Sequence, residues 1–445
     1  MKKDLTQGSV TKVMLLFAGP MILGNMLQQC YNIADTWIVG KFLGASALAA
    51  VGSAYTLMTF LTSIIIGLCM GSGAVFSNYF GGKQYKELKE SIKASFGMIG
   101  AISIGMNLLL LLFIDPILHL LQVPADVYEL IRDYVQVIFF GLIFIFLYNY
   151  FAFLLRALGN SLIPLCFLGL SAFFNIVLDL LFVIRFQWGV QGAAIATVIA
   201  QAVSGIGIVI YTWIREPGIR PEKSITVPKG TAARILRFSM ASCAQQSVMN
   251  FGILMIQGLV NSFGTAVMAA FAAAVKIDSF AYMPAQEFGN AFSLFISQNY
   301  GAKDEARVKQ GVKSAIKISM GFCLVISVLV FAFAPQLMRI FIDASETEIV
   351  GIGTGYLRIE GSFYCGIGLL FLLYGYYRAV ERPEMSLVLT VISLGTRVLI
   401  AYTLAPIPAI GVVGIWSAIP IGWGLADLTG LLYMRKIRFK EEKSL

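Results

Sequence analysis

Ser77-Asn78-Tyr79-Phe80-Gly81-Gly82-Lys83 closes a long apolar run, and 220 residues later Ser297-Gln298-Asn299-Tyr300-Gly301-Ala302-Lys303 closes another. The correspondence extends well beyond these words. At the same offset Leu43-Gly44 falls on Phe263-Gly264 and Ala49-Ala50 on Ala269-Ala270. An offset of 222 then serves the later runs: it places Tyr134 on Tyr356, Arg156-Ala157 on Arg378-Ala379, Gly189-Val190 on Gly411-Val412 and Gly192 on Gly414. A nearly constant offset held this far marks an internal duplication.

The duplicated unit is a set of membrane spans. Of the 445 residues 58% are hydrophobic and 13% charged, about half the charge a soluble surface requires. Runs long enough to cross ~30 Å of hydrocarbon fall at 13–39, 51–79, 94–114, 133–155, 162–184 and 190–214, and again at 236–262, 266–297, 312–334, 354–377, 385–405 and 411–434. The expected fold is an all-α integral membrane protein of twelve transmembrane helices in two six-helix lobes. An even number of spans per copy gives both lobes the same orientation around a central cleft. The expected lobes are residues 1–214 and 232–445, joined by a cytoplasmic linker at 215–231 that holds Pro217, Pro221 and Pro228. The first run is too long for a signal-peptide core and has no small-residue cleavage site before Asp35, so it reads as a retained span.

Charge placement orients the chain. With the amino terminus inside, 26 of the 33 basic residues fall on cytoplasmic segments, among them Lys2, Lys3, Lys12, Lys83 through Lys93, Arg215 through Arg237, Lys303 through Lys317 and Arg435 through Lys443. This is the positive-inside bias. Both termini are expected in the cytoplasm of a multi-pass inner cell-membrane protein, while Asp115, Asp126, Asp343 and Glu346 collect on the other side. The net charge of +9 follows from topology and needs no nucleic-acid partner. The six cysteines all sit in apolar runs and read as small core hydrophobes. A single histidine, His119, excludes a histidine metal cluster. Gly81-Gly82-Lys83 lacks the spacing and the Ser/Thr of a nucleotide loop, and no acid, base or metal cluster of an enzyme stands near a span end. No cofactor is expected.

Three passages together resemble the multidrug and toxin extrusion (MATE) family over essentially the whole chain. They are Gln28 to Gly52, QQCYNIADTWIVGKFLGASALAAVG; Asn175-Ile176-Val177-Leu178-Asp179 with Gly189 to Thr197; and the repeated span end before Gly81-Gly82-Lys83 and Gly301-Ala302-Lys303. The resemblance implies a secondary antiporter that exports amphipathic, mainly cationic compounds while protons or sodium ions flow in. It further implies that the cation-coupling network of the first lobe falls on Asp35, Asn175, Asp179 and Thr197, with sodium as one coupling ion they could hold. Relatives that use an acid in the seventh span have no counterpart here, where that span offers Gln245, Gln246 and Asn250. A flippase for a lipid-linked precursor is the nearest alternative and would call for a more cationic cavity; an integral-membrane enzyme is the more distant one. The expected partners are small organic cations and membrane lipids, with the chain working as a monomer.

The residues support a site independently. A carboxylate at bilayer depth costs at least about 2.5–3.5 kcal/mol, so such groups are functional by default. Gln28, Tyr31, Asn32 and Asp35 recur at i, i+3, i+4 and i+7 and share one helix face. A carboxyl group there can trade a proton for sodium or for a cationic compound. Asn175 and Asp179, at i and i+4, add hard oxygen donors. The eighth span carries Lys276, Asp278 and Glu287; Asp278 lies about 200° around the helix from Lys276, so the three cannot all pair unless Pro284 distorts it. There Glu287 with Tyr282 or Met283 is expected to line a cation-accepting cavity, against the alternative of a salt bridge to a neighbour such as Arg397. The substrate-binding residues expected are thus Gln28, Tyr31, Asn32, Lys276, Asp278, Tyr282, Met283 and Glu287. Aromatic runs such as Phe144 to Phe153 read mainly as packing or lipid-facing surface.

Overall fold

The computed structural model describes residues 4–120, 127–220 and 226–442. Asp126, Pro221, Lys223, Lys2, Lys3 and Lys443, all used in the reading above, lie outside the described residues. Within them the chain is helical, with no strand. The first half holds α1 (Val10–Leu43), α2 (Ala45–Gly81), α3 (Tyr85–Leu112), α4 (Ile114–Leu120), α5 (Tyr128–Ala157), α6 (Leu162–Asp179) with a π-helical turn at Leu180–Arg185, and α7 (Gly189–Arg215). The second holds α8 (Lys229–Asn261), α9 (Thr265–Gly301), α10 (Glu305–Met338), α11 (Thr347–Gly361), α12 (Tyr364–Ala379), α13 (Pro383–Leu404) and α14 (Val412–Glu442).

Ten of these helices are long and apolar enough to cross a membrane, and α11 with α12 makes an eleventh span bent by 52°. The twelfth membrane-length segment is α8, whose 33 residues are diluted by Gln245, Gln246 and Asn250. The twelve-span architecture therefore stands, with two corrections. The tenth span, expected to be continuous over 354–377, is broken at Ser362 and Phe363. The stretch around Asp115, expected as a mere span end, forms the separate helix α4, where Pro116 occupies the first turn and loses no intrahelical hydrogen bond. Most helices also outrun the apolar runs. Hydropathy reports only the hydrocarbon depth, whereas the helix continues into water through pairs such as Glu305 and Lys309, 3.7 Å apart at i, i+4.

Two compact units divide the chain: one holds described residues up to Thr6 and Leu15–Cys243, the other Gln7–Met14 and Ala244 onward. In the first, α5 packs along α7 and α2, and Phe76, Phe139, Phe146 and Tyr150 fill the core. In the second, α9 packs on α12 and α13 on α14; Phe271 stacks on Trp416 at 5.5 Å, with Tyr356 edge-on to the same indole at 5.0 Å. Arg307 of α10 donates to the carbonyls of Gln7 and Gly8, which holds the amino-terminal arm to this second unit. Large apolar side chains such as Leu112 (73% exposed) and Leu324 (60%) cover the outer faces, as lipid contact requires. The cysteines divide: Cys69 and Cys323 are buried, but Cys30 and Cys166 are exposed, because an apolar run has a lipid-facing side as well as a core side.

The duplication is written in the backbone. Left-handed residues pair at the repeat offsets: Gly44 and Gly264 (φ 87° and 95°), Lys83 and Lys303 (56° and 59°), Gly159 and Glu381 (83° and 62°), Gly189 and Gly411 (61° and 54°). Gly44 and Gly264 separate consecutive long helices, where a residue without a Cβ reverses the chain at no steric cost.

Candidate functional site

Three helices of the first unit, α1, α6 and α7, carry the expected coupling residues. Asp35 projects from α1 and Asp179 is the last residue of α6, just before the π-helical turn; such turns rotate a side chain out of the regular helical register. The two carboxyl groups face each other within hydrogen-bond reach. Asp179 is wholly buried and Asn175 is 2% exposed. Asn175 Nδ2 donates to Thr197 Oγ1 of α7 at 3.2 Å, and that hydroxyl donates in turn to the Ala193 carbonyl at 3.0 Å. Tyr31, which pairs with Gln28, lies near Asp35, and Tyr134 of α5 lies within electrostatic range of both acids.

What distinguishes this cluster is the direction of its hydrogen bonds. No donor reaches Asp35 Oδ1, either carboxyl oxygen of Asp179 or Asn175 Oδ1, although all are shielded from solvent. Buried acceptors without donors are costly, and two facing negative charges in a low-dielectric interior are costlier. A proton shared between the carboxyls relieves the cost, and so does a small cation among the four oxygens. Carboxylate and amide oxygens are a donor set suited to a hard ion, so the arrangement is chemically suited to a proton or to a small hard cation.

The residues expected around the eighth span separate. Lys276 is exposed, Asp278 is 3% exposed, and the two point apart as their azimuths require. Glu287 is half-buried and accepts a hydrogen bond from Asn290 Nδ2 at 3.4 Å. The acid of α9 that the fold buries is Asp278, which faces Glu360 of α11, with Tyr282 and Tyr364 beside it. Met283 is buried, while Gln28 is exposed and Asn32 half-buried, its carbonyl accepting from Thr36 Oγ1 at 2.8 Å. Glu360 (2% exposed) and Asp427 (7%) went unnoticed in the sequence, although both interrupt apolar runs and the criterion applied to Asp35 would have found them.

Residues 20–181 and 239–403 match the MatE family profile. The chain belongs to the MatE family. It is 32% identical over 99% of its length, and 98% of the other protein, to the "Probable multidrug resistance protein YpnP" of Bacillus subtilis (strain 168). The "Multidrug export protein MepA" of Staphylococcus saprophyticus is 25% identical over 87% of this chain and 85% of its own. A solved structure described as "Crystal structure of MATE in complex with MaL6" superposes with a TM-score of 0.92 at 24% identity, covering 99% of each chain. A MOP superfamily transporter from Pyrococcus furiosus gives 0.90 at 24% identity, covering 97% of this chain and 96% of that one. Those two likenesses concern the fold. MatE proteins are multidrug efflux transporters and not enzymes, and this chain is a multi-span membrane member of that family.

Proposed function

We propose that this chain is a secondary antiporter of the cell membrane, exporting amphipathic, mainly cationic compounds by alternating access in exchange for protons or sodium ions, with both termini cytoplasmic. The observation that carries the reading is the facing pair of Asp35 and Asp179 without a donor between them. A pair so placed must hold a positive species, and a site that must always hold one can exchange one for another. Asn175 and Thr197 orient the acceptors: the amide hydrogen spent on Thr197 turns Asn175 Oδ1 toward use by a cation. Tyr31, Gln28 and Asn32 continue the face of α1 that Asp35 belongs to, so a bound organic cation and a coupling ion compete for the same carboxylate charge. Tyr282 and Met283 offer an aromatic and a soft contact of the kind that suits cations of varied shape.

The test is efflux of a fluorescent organic cation from proteoliposomes carrying a proton gradient or a sodium gradient separately. One gradient should drive transport, and Asp35→Asn should abolish it. Unchanged gradient-driven efflux in the folded Asp35→Asn protein would remove this function from the site.

A further inference from the structure

The third span of the second unit begins with lysines on its outward face. On α10, Lys313 and Lys317 are exposed, and at 100° per residue they share one sector of about 60° with Leu324 (60% exposed) and Val328 (61%). Gly321 lies at the edge of the same stripe, and nothing stands within 4 Å of the place its Cβ would take. From Lys317 to Val328 the helix rises about 16 Å, close to the ~15 Å depth of one leaflet's hydrocarbon. The neighbouring face of α10 is covered: Arg307 donates to the Gln7 and Gly8 carbonyls and Ser314 shares a hydrogen bond with Thr11, so the amino-terminal arm lies along that side.

Lys309, one turn earlier, has its counter-charge in Glu305, 3.7 Å away. Among the described residues no acid pairs with Lys313 or Lys317. Two ammonium groups at i, i+4 lie side by side and repel; an anion between them reverses the sign of that interaction. The repeat shows what is particular to α10. At the offset of 220, Lys93 of α3 answers Lys313, and Ala101, Ile104 and Leu108 answer Gly321, Leu324 and Val328, but Gly97 stands where α10 has Lys317. Ile104 and Leu108 are 50% and 63% exposed, so both units keep the apolar track, while only α10 brings a lysine one turn deeper, onto the track itself. A charge at that depth is costly, and a lysine lowers the cost by extending its amine to the headgroup level. An anionic phospholipid matches both parts of this face, with a phosphate for the two ammonium groups and an acyl chain for the track. Free phosphate matches only the first part, and a zwitterionic lipid brings an ammonium of its own against the lysines.

We propose that the face of α10 carrying Lys313 and Lys317 binds one anionic phospholipid, its phosphate between the two ammonium groups and an acyl chain along Gly321, Leu324 and Val328. In the orientation proposed above, this is a lipid of the cytoplasmic leaflet. The site shares no residue with the carboxyl cluster of the first unit, and its test reads binding rather than transport, so a failure of either reading leaves the other standing.

The experiment is a lipid titration of the purified full-length protein in detergent, read by native mass spectrometry, with phosphatidylglycerol and phosphatidylcholine of identical acyl chains. Phosphatidylglycerol should bind more tightly, and excess inorganic phosphate should not displace it. A lysine at the membrane surface contributes about fivefold in affinity for anionic lipid. Lys313→Gln and Lys317→Gln should therefore each weaken the tightest phosphatidylglycerol site about fivefold, and the double variant roughly thirtyfold, with phosphatidylcholine binding unchanged. Lys309→Gln removes the same charge from the same helix, but one already paired with Glu305, and should leave the affinity within about twofold of the parent. Thermal unfolding checks that these variants, all at exposed positions, keep the parent fold. Equal affinities for the two lipids would overturn the proposal, and so would a double variant that binds phosphatidylglycerol as the parent does. A loss with Lys309→Gln as large as with Lys317→Gln would reduce the effect to net charge, and displacement by phosphate would reduce the site to a plain anion site; either result also overturns it.

Discussion

Replacing Gly71 should damage the protein far more than the added atoms suggest. A Cβ built there lies 2.2 Å from the Phe238 carbonyl oxygen, 2.5 Å from its carbonyl carbon and 2.7 Å from Ser239 Cα. One turn earlier, a Cβ at Gly67 would meet Cys243 Cα at 2.6 Å and the Ser242 oxygen at 2.9 Å. The α2 helix thus meets the first half of α8 backbone to backbone through a pair of glycines spaced by four, the close approach that small residues permit between membrane helices. Because every partner is main chain, no rotamer change relieves the clash, and restoring ordinary contact of ~3.5 Å moves the helices about 1 Å apart. Overpacking of this kind costs about 1–3 kcal/mol. Gly71→Ala recovers about 1 kcal/mol of helix propensity, whereas Gly71→Val has a β-branched side chain and recovers less, so it should sit at the upper end. The displacement would also strain the grip of Arg234, which donates to Asn78 Oδ1 at 3.0 Å and lies 4.3 Å over the Tyr79 ring. Gly97 of α3, where a Cβ meets nothing within 4 Å, is the control. Thermal unfolding in detergent should show Gly97→Ala at or above the parent, Gly71→Ala below it and Gly71→Val lowest, with efflux falling in the same order. A Gly71→Val protein that melts with the parent and transports normally would refute the close approach.

Thr197→Val removes the acceptor for Asn175 Nδ2; at about 0.6–1.7 kcal/mol for a hydrogen bond between membrane helices, the half-saturating coupling-ion concentration should rise roughly three- to seventeenfold, and an unchanged value would show that Asn175 orients no ion. Lys303 holds φ 59° after α9, where Asp304 N bonds back to the Asn299 carbonyl at 3.0 Å, so Lys303→Gly should relieve about 1 kcal/mol of left-handed strain and raise the melting temperature; a fall would contradict this. Asp115 accepts from Arg132 Nε at 2.8 Å and from the Tyr128 hydroxyl at 3.0 Å, and these bonds hold its carboxyl below the ordinary carboxylate value. A depressed folded value means the contribution is complete above the unfolded carboxylate pKa and is lost as pH falls through the lower folded one. Asp115→Asn should therefore lower the melting temperature at neutral pH and leave it unchanged in strong acid; a difference persisting in acid would reverse the sign.

The spans were legible because the bilayer imposes a length on apolar runs that few other structures share. The break in the tenth span was not, because Glu360, Gly361 and Ser362 interrupt the apolar run without any proline to mark a bend. What bends it is local: Phe363 N bonds to the Glu360 carbonyl at 3.0 Å and Gly366 N to the Phe363 carbonyl at 2.8 Å, tightened turns that hydropathy does not register. The residues themselves put Asn175 and Asp179 on one helix face and left Asp35 alone in its run, but only the resemblance grouped the three with Thr197, since nothing in one helix's sequence says which helix packs beside it. The second unit was read poorly. Azimuths on α9 correctly separated Asp278 from Lys276, but favoured Glu287, since the geometry of one helix says nothing of an acid on another. Asp278 is the buried acid only because α11 brings Glu360 to it.

The two halves diverge unevenly, and the pattern separates what the fold needs from what the site needs. Four pairs of left-handed residues survive at matching offsets, although Gly159 has become Glu381, so the turn geometry persists even where the residue that makes it cheap is lost. The polar positions do the opposite. Around the first-unit carboxyl pair, Asp35 is answered at the repeat offsets by Met255, Asp179 by Ala401 and Asn175 by Arg397, while Tyr134 is kept as Tyr356. Each tyrosine nevertheless lies within electrostatic range of a carboxyl pair, and in the second unit that pair comes from α9 and α11 instead of α1 and α6. The duplicated fold thus keeps a tyrosine near an acid pair in each half while drawing the acids from different helices, so the backbone repeat is stricter than the repeat of its buried polar groups.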